Sequence, residues 1–337
     1  MTGVTTAVLG SGGWGTTFAA VLADAAPQAE IRLWGRSTET CREINQQRSN
    51  TKYLPELRLP TNIRATTDLA EAVGEAELVA VALPSQQARK ILAPLRNQLA
   101  EGTVVVSLMK GIEVETGELM STMLADTLGV PDHRVAVVSG PNLAGEIAAQ
   151  QPTATVVAAT TSATAHAVAE ACATPYFRPY TNHDVVGVEL GGAVKNVIAL
   201  AVGIARGAGF GDNTTASIIT RGLAETTRLG TAMGARAETF AGLAGMGDLV
   251  ATCASPLSRN NALGYRIGQG MSLAEATRAT GGTAEGVATC RSVVALARRY
   301  GIEMPISEAV TGVLHHGVPV SDMPHTLLSR PRKSEGD

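Results

Sequence analysis

The tightest constraint on this chain's fold lies at its start. Val4–Leu9 is a continuous apolar run of β-type residues, and Gly10-Ser11-Gly12-Gly13-Trp14-Gly15 follows it directly. Gly10, Gly12 and Gly15 fit the spacing G-x-G-x-x-G, and the helically spaced segment Thr16–Ala25 comes next. In a strand–turn–helix unit the first such glycine permits the tight turn and the second lets backbone approach a pyrophosphate. The third lets helix and strand pack closely. The helix start then presents unpaired N–H groups and a positive dipole end to phosphate. The spacing alone is a weak signal, but its setting between a strand and a helix makes it a phosphate-binding turn. It leaves Gly13 and the bulky Trp14 unexplained.

The same alternation continues downstream. Ile31–Trp34, Leu78–Leu83, Thr103–Leu108 and Val135–Ser139 read as buried strands, with Gln86–Leu99 as a helix between two of them. Strands separated by helices imply a parallel, doubly wound sheet covered on both faces, which Thr153–Ala159 would extend. Beyond about residue 185 the pattern turns helical: Gly187–Ala205, Thr214–Met233, Leu273–Ala279 and Thr289–Tyr300. The 337 residues suit two domains, each with its own core. The expected class is α/β, a doubly wound Rossmann domain (1–186) followed by a mainly α-helical substrate domain (187–330), with 331–337 a flexible polar tail. Gly187–Ala205, apolar almost all round, reads as the buried central helix of the second domain.

The end of the second strand selects the nucleotide. An NAD-selective fold places an Asp or Glu there for the ribose 2′-hydroxyl. Here Ile31-Arg32-Leu33-Trp34 runs into Gly35-Arg36 with no carboxylate. Arg36 suits a 2′-phosphate through charge-assisted hydrogen bonds, so NADP(H) is the expected cofactor, with NAD(H) accepted. The alternative is a solvated surface charge.

Other classes recede. A net charge of −3 gives no track for a nucleic-acid backbone. Apolar runs such as Val197–Ala205 fall short of a membrane span, and MTGVTTAV lacks the flanks of a signal peptide. Cys41, Cys172, Cys253 and Cys290 are scattered without C-x-x-C spacing, and no H-E-x-x-H occurs. Neither a metal site nor a disulfide framework is expected, and a cytoplasmic setting fits.

Three further segments carry polar groups in unusual places. Ser107-Leu108-Met109-Lys110-Gly111 sets Lys110 at the carboxyl end of a strand, the edge where open α/β sheets bind ligands. Leu190-Gly191-Gly192-Ala193-Val194-Lys195-Asn196-Val197-Ile198-Ala199 sets Lys195 and Asn196 in an apolar helix. Gly245-Met246-Gly247-Asp248-Leu249-Val250-Ala251-Thr252-Cys253, with Ser258-Arg259-Asn260 after it, gathers polar groups around a glycine-rich bend.

With GSGGWGT and GFGDNTTASIITRGLAE, these segments resemble the bacterial-type NAD(P)-dependent glycerol-3-phosphate dehydrogenases, from Val8 to about Leu328. The resemblance implies reversible reduction of dihydroxyacetone phosphate to sn-glycerol 3-phosphate, supply of phospholipid synthesis, and a homodimer. It makes Lys195 the proton acceptor, with Lys110 and Asp248 beside it in the catalytic group. It implies substrate contacts at Lys110, Gly140, Lys195, Asp248, Ser258, Arg259 and Asn260. Cofactor contacts are implied at Gly13, Trp14, Arg36, Tyr53, Lys110, Ala144, Arg259 and Glu285, besides the fingerprint's Gly10, Gly12 and Gly15. Asn142 stands where the family usually has Ser or Thr; an amide also donates and accepts, so it is kept as a substrate contact. Thr283 stands where an aliphatic residue is common and is left out of the site.

The chemistry wants these residue types. Reduction needs a proton donor at the carbonyl oxygen, and oxidation needs the same group as base. An ordinary lysine, near 10.4, is too basic for that. Apolar neighbours and a second cation lower a lysine's proton affinity, and a carboxylate raises it. Arg259 suits a substrate phosphate, with Ser258 and Asn260 as neutral donors, and Thr252 is placed to position Asp248 or the substrate. Asp248 also suits a helix start, and Arg259 a surface ion pair. A relative acting on another hydroxyacid, and a nucleotide-binding regulator or S-adenosylmethionine methyltransferase using a similar turn, are the rival readings. The Lys195, Asp248 and Arg259 constellation speaks against the last two, which have no need of a buried base.

Overall fold

A computed structural model describes residues 5–281 and 284–323. Its first half runs β1 (Thr6–Leu9), α1 (Gly13–Ala25), β2 (Ile31–Trp34), α2 (Thr38–Gln47), β3 (Ile63–Thr66), α3 (Leu69–Val73), β4 (Leu78–Val81) and α4 (Ser85–Leu92). It continues through β5 (Val104–Ser107), α5 (Met120–Leu128), β6 (Val135–Ser139), α6 (Ala144–Ala148), β7 (Thr153–Ala159), α7 (Ser162–Cys172) and β8 (Phe177–Asn182). The strands form one sheet in the order β3-β2-β1-β4-β5-β6-β7-β8. The chain crosses over between β1 and β4, so the turn after β1 and the loops after β4, β5 and β6 open on one carboxyl edge. The expected Rossmann architecture is present. One pairing departs from the all-parallel expectation: β7 runs antiparallel to β6, a direction that hydropathy does not encode.

Each central strand is apolar because both its faces are covered; β1 and β4 are buried at every position. The two outermost strands, β3 and β8, were absent from the sequence reading. Each lies at a sheet edge and is partly exposed, and β8 carries Pro179, which an edge strand tolerates. Helix α1 begins at Gly13, earlier than the expected Thr16, because the glycine turn itself supplies its first residues. The helix expected over Gln86–Leu99 ends at Leu92 in a 3₁₀ turn, Ala93–Leu95, where Pro94 cannot continue the ladder. Val4, Thr283 and the 331–337 tail lie outside the described residues.

The second half is helical: α8 (Val185–Gly207), α9 (Asp212–Ala232), α10 (Ala237–Ala241), α11 (Asp248–Ala254), α12 (Arg259–Gly268), α13 (Leu273–Thr280), α14 (Gly286–Arg299) and α15 (Pro305–His315). A π-turn, Leu243–Gly247, leads into α11. Helix α8 has the length and composition of a membrane span, but 89% of its most apolar stretch is buried inside the protein. Asp184 starts it by accepting from the Gly187 amide at 2.9 Å and Thr239 Oγ1 at 2.6 Å, tying α10 to the same point. Helices α8 and α12 meet backbone to backbone through paired glycines four residues apart. A Cβ at Gly203 would lie 2.2 Å from the Asn261 carbonyl, and one at Gly264 2.3 Å from that of Leu200. Gly207 and Gly268 repeat the contact a turn later.

Two buried carboxylates cap helices from other elements. Glu225 of α9 accepts from the Ile306 amide of α15 at 2.7 Å, and Glu189 of α8 from the Ser121 amide of α5 at 2.8 Å. Burial pushes both carboxyls up to about 7, against the amide donors that favour the charge.

Candidate active site

Three elements bring together the residues that the sequence singled out. Lys110 follows β5 at the carboxyl edge of the sheet, Lys195 lies midway along α8, and Asp248 opens α11. Asp248 is 1% exposed and Lys195 8%, so their charges answer each other rather than water. Lys195 Nζ donates to Asp248 Oδ1, and Lys110 Nζ donates to Asp248 Oδ2 at 2.6 Å. Lys110 Nζ also donates to the Gly140 carbonyl at 2.8 Å, and Lys195 Nζ to Thr252 Oγ1 at 2.7 Å. Asp248 and Thr252, one turn apart on α11, therefore hold the same amine from one helix face. Asp248 places its side chain on two lysines, and the start of α11 has no side-chain cap.

Burial draws Lys110 down to about 7; the Asp248 carboxylate works against this and the charge of Lys195 works with it. One carboxylate between two amines leaves one positive charge in excess when both are protonated, in a site with little water to spread it. The pair of glycines before Lys195 has a steric reason. A Cβ at Gly192 would lie 2.6 Å from Ser139 Oγ, and one at Gly191 2.4 Å from the Ala244 carbonyl, so bare backbone lets α8 pack directly on β6 and on the turn before α11.

A second network runs outward from this centre. Asn196 Nδ2 donates to the Lys110 carbonyl at 3.3 Å, and Asn196 Oδ1 accepts from Asn260 Nδ2 at 2.9 Å. Asn260 Oδ1 accepts from the Gly286 amide at 3.0 Å. Next to Gly286, Glu285 accepts from Ser85 Oγ at 2.5 Å, so the helical half reaches back to the loop after β4. Burial raises the Glu285 carboxyl, against the hydrogen bonds from Ser85. Ser85 was not singled out by the sequence; it opens α4 four positions past the end of β4, and a hydroxyl residue at that place is the only signal it carries. Ser258 caps α12 by accepting from the Asn261 amide at 3.2 Å, and Arg259 stands exposed at that helix's first turn. A cation on a helix N-terminus facing solvent suits an anion.

Asn142 donates from Nδ2 to Thr155 Oγ1 at 3.0 Å, while its Oδ1 is buried without a partner. Its donor is thus engaged with the sheet. Gly140, with φ +141, turns the chain just before it.

The cofactor residues gather around the other end of the same edge. Gly10 has φ +126, and a Cβ there would meet the Ala82 carbonyl at 2.4 Å, which only glycine avoids. A Cβ at Gly12 would meet nothing within 4 Å, and α1 has no side-chain cap. The turn is therefore an open cradle over free amide groups, which fits a pyrophosphate. A Cβ at Gly13 would lie 3.9 Å from Tyr53 Cβ and 4.0 Å from Ala144 Cβ, so these three expected residues share one wall. Trp14 packs its ring 5.6 Å from that of Phe18 and leaves its buried Nε1 without a partner. Arg36, exposed just beyond β2, donates to Gln87 Oε1 at 3.3 Å. Among the described residues, no carboxylate pairs with it.

Residues 5–165 match the N-terminal and residues 184–325 the C-terminal model of NAD-dependent glycerol-3-phosphate dehydrogenase. Relatives named glycerol-3-phosphate dehydrogenase [NAD(P)+] include one from Streptomyces griseus, 56% identical over 98% of both chains. Another, from Thermobifida fusca, is also 56% identical over 98% of both. Among solved structures, glycerol-3-phosphate dehydrogenase from Coxiella burnetii superposes with a TM-score of 0.92 at 36% identity, covering 98% of this chain and 100% of its own. The Saccharomyces cerevisiae enzyme does so with a TM-score of 0.82 at 28% identity, covering 97% of this chain and 99% of its own.

Proposed function

The chain belongs to the NAD-dependent glycerol-3-phosphate dehydrogenase family and is an NAD(P)-dependent oxidoreductase; from that premise we propose how its own residues divide the work. The reaction is the reversible reduction of dihydroxyacetone phosphate to sn-glycerol 3-phosphate. The single observation that supports this most is the Asp248 carboxylate shared by Lys195 and Lys110 at the sheet's carboxyl edge.

A bound nicotinamide cofactor supplies the hydride for reduction and accepts it in oxidation. Lys195 Nζ holds the proton that goes to the carbonyl oxygen, and takes it back from the hydroxyl in the reverse direction. Asp248 and Thr252 fix that amine's position, and Lys110 adds a second donor on the same side. Burial on α8 excludes water, so the proton stays between Lys195 and the substrate oxygen. Arg259 with Ser258 holds the substrate phosphate at the start of α12, and Asn260 aligns it with Asn196. Gly140 and Asn142 complete the substrate wall. The cofactor lies on Gly10, Gly12, Gly13, Trp14 and Gly15, with Tyr53, Ala144, Lys110, Arg259 and Glu285 around it. Arg36 reads the 2′-phosphate, which makes NADP(H) the preferred form and NAD(H) an accepted one.

The proposal extends to a dinucleotide domain of residues 1–186, a substrate domain of 187–330, a homodimer, a cytoplasmic location and supply of phospholipid synthesis. The deciding experiment follows loss of NADPH and, in parallel, NADH with dihydroxyacetone phosphate. Turnover with that substrate is expected. No turnover there, with turnover of a carboxylate-bearing ketone instead, overturns the reading in favour of a hydroxyacid dehydrogenase.

A further inference from the structure

The glycine turn is held by a residue far from it in sequence. Asn50, 1% exposed, donates both amide hydrogens into the turn: to the Ser11 carbonyl at 3.0 Å and to Thr16 Oγ1 at 2.9 Å. Those two acceptors bracket Gly12, Gly13, Trp14 and Gly15. Asn50's own carbonyl accepts from the amides of Tyr53 at 3.1 Å and Leu54 at 2.8 Å. The same residue therefore fixes the short loop that carries Tyr53 to the wall beside Gly13. The Ser11 side chain lies directly over Gly35, where a Cβ would be 2.2 Å from Ser11 Oγ. The side-chain oxygen of Asn50 is buried and unpartnered, a cost that a merely space-filling residue would not carry.

We propose that Asn50 is a positioning residue for cofactor binding, setting the phosphate-binding turn and the Tyr53 loop as one unit. The assignment rests on the dinucleotide reading above. A turn rich in glycine has many backbone conformations, and only a few present their amides to one phosphate group. Two hydrogen bonds across the turn remove most of that freedom before the nucleotide arrives, so affinity is gained by preorganisation rather than by a new contact. The reacting atoms are bound elsewhere, by α8, α11 and the loop after β5, so turnover at saturating cofactor should not depend on Asn50.

The test compares the wild-type protein with Asn50→Ala and with Asn50→Leu, which keeps the branched shape, loses the donor and adds no charge near the phosphates. NADPH affinity is read by titrating nucleotide fluorescence without substrate; kcat and both KM values are measured separately. The expected result is an NADPH Kd raised about tenfold in both variants, with kcat and the KM for dihydroxyacetone phosphate within about twofold of wild type. If Asn50→Ala does not fold, Asn50→Leu decides alone. An NADPH Kd raised less than about threefold, or a loss falling equally on kcat and the other KM, overturns the assignment. A wild-type protein that binds neither NADPH nor NADH overturns the dinucleotide reading itself, a result distinct from variants that bind as well as wild type.

Discussion

Lys110 Nζ lies 2.6 Å from Asp248 Oδ2, so the carboxylate that accepts from Lys195 is shared with a second amine brought in from the other half of the chain. The sheet and the helical half are thus joined by charge at the proposed catalytic centre. Replacing Asp248 by Asn leaves two buried amines facing an amide, and removal of one partner from a buried pair costs about 3–5 kcal/mol. The expected outcome is a lowered Tm together with loss of turnover. An Asp248→Asn protein as stable as wild type would show that the two amines find other compensation.

Lys195→Ala should separate binding from chemistry. Proton transfer by a positioned side chain is worth about a hundredfold to ten-thousandfold in rate. We expect kcat to fall by at least that factor while NADPH binding, governed by the glycine turn, stays within about twofold. Steady-state kinetics alongside a fluorescence titration decide it, and retained full activity would remove Lys195 from its role.

The depressed Lys110 gives stability a pH signature. Its folded value is about 7, whereas an unfolded lysine titrates near 10.4. Between those values the unfolded chain binds more protons than the folded one, so raising the pH through that window stabilises the fold through this group. Below about pH 7 both states hold the proton and the gradient vanishes. Lys110→Met lacks this contribution. The Tm difference between wild type and Lys110→Met should therefore shift in favour of wild type from about pH 7 to about pH 10. A difference that stays flat across the window, followed by calorimetry, contradicts the assignment.

Arg36→Asp tests the nucleotide preference. A carboxylate beyond β2 would repel a 2′-phosphate and suit a 2′-hydroxyl. KM for NADPH should rise about tenfold or more, with KM for NADH changed by less than about threefold. Equal effects on both cofactors would show that Arg36 does not read the extra phosphate.

How much of this the sequence disclosed depended on the range of the interactions. The turn at Gly10–Gly15, the central strands and α8 were legible because each is a local pattern: glycine spacing, apolar runs, a helix apolar all round. Lys195 and Asp248 stood out as charged residues in apolar or glycine-rich settings. The edge strands β3 and β8 were not legible, because β3 alternates over only four residues and β8 is polar and partly exposed along most of its length. Nor was the antiparallel β7, since a buried strand reads alike in either direction. Ser85 and Glu285 are 200 residues apart, and the two donors of Asn50 reach residues 39 and 34 positions away. Such pairings are properties of the fold, and no spacing along the chain announces them.

The glycine contacts between α8 and α12 have a consequence for how this site tolerates change. One helix carries Lys195 and Asn196; the other begins with Arg259 and Asn260. Because Gly203 meets the Asn261 carbonyl and Gly264 that of Leu200, main-chain atoms common to every amino acid fix the spacing of the two helices. Substitution among the apolar side chains of the helical half can reshape the rest of that core without moving Lys195 relative to Arg259. The catalytic dimension is written into the backbone, and its exposure to mutation narrows to a few positions where a single methyl group would drive the helices apart.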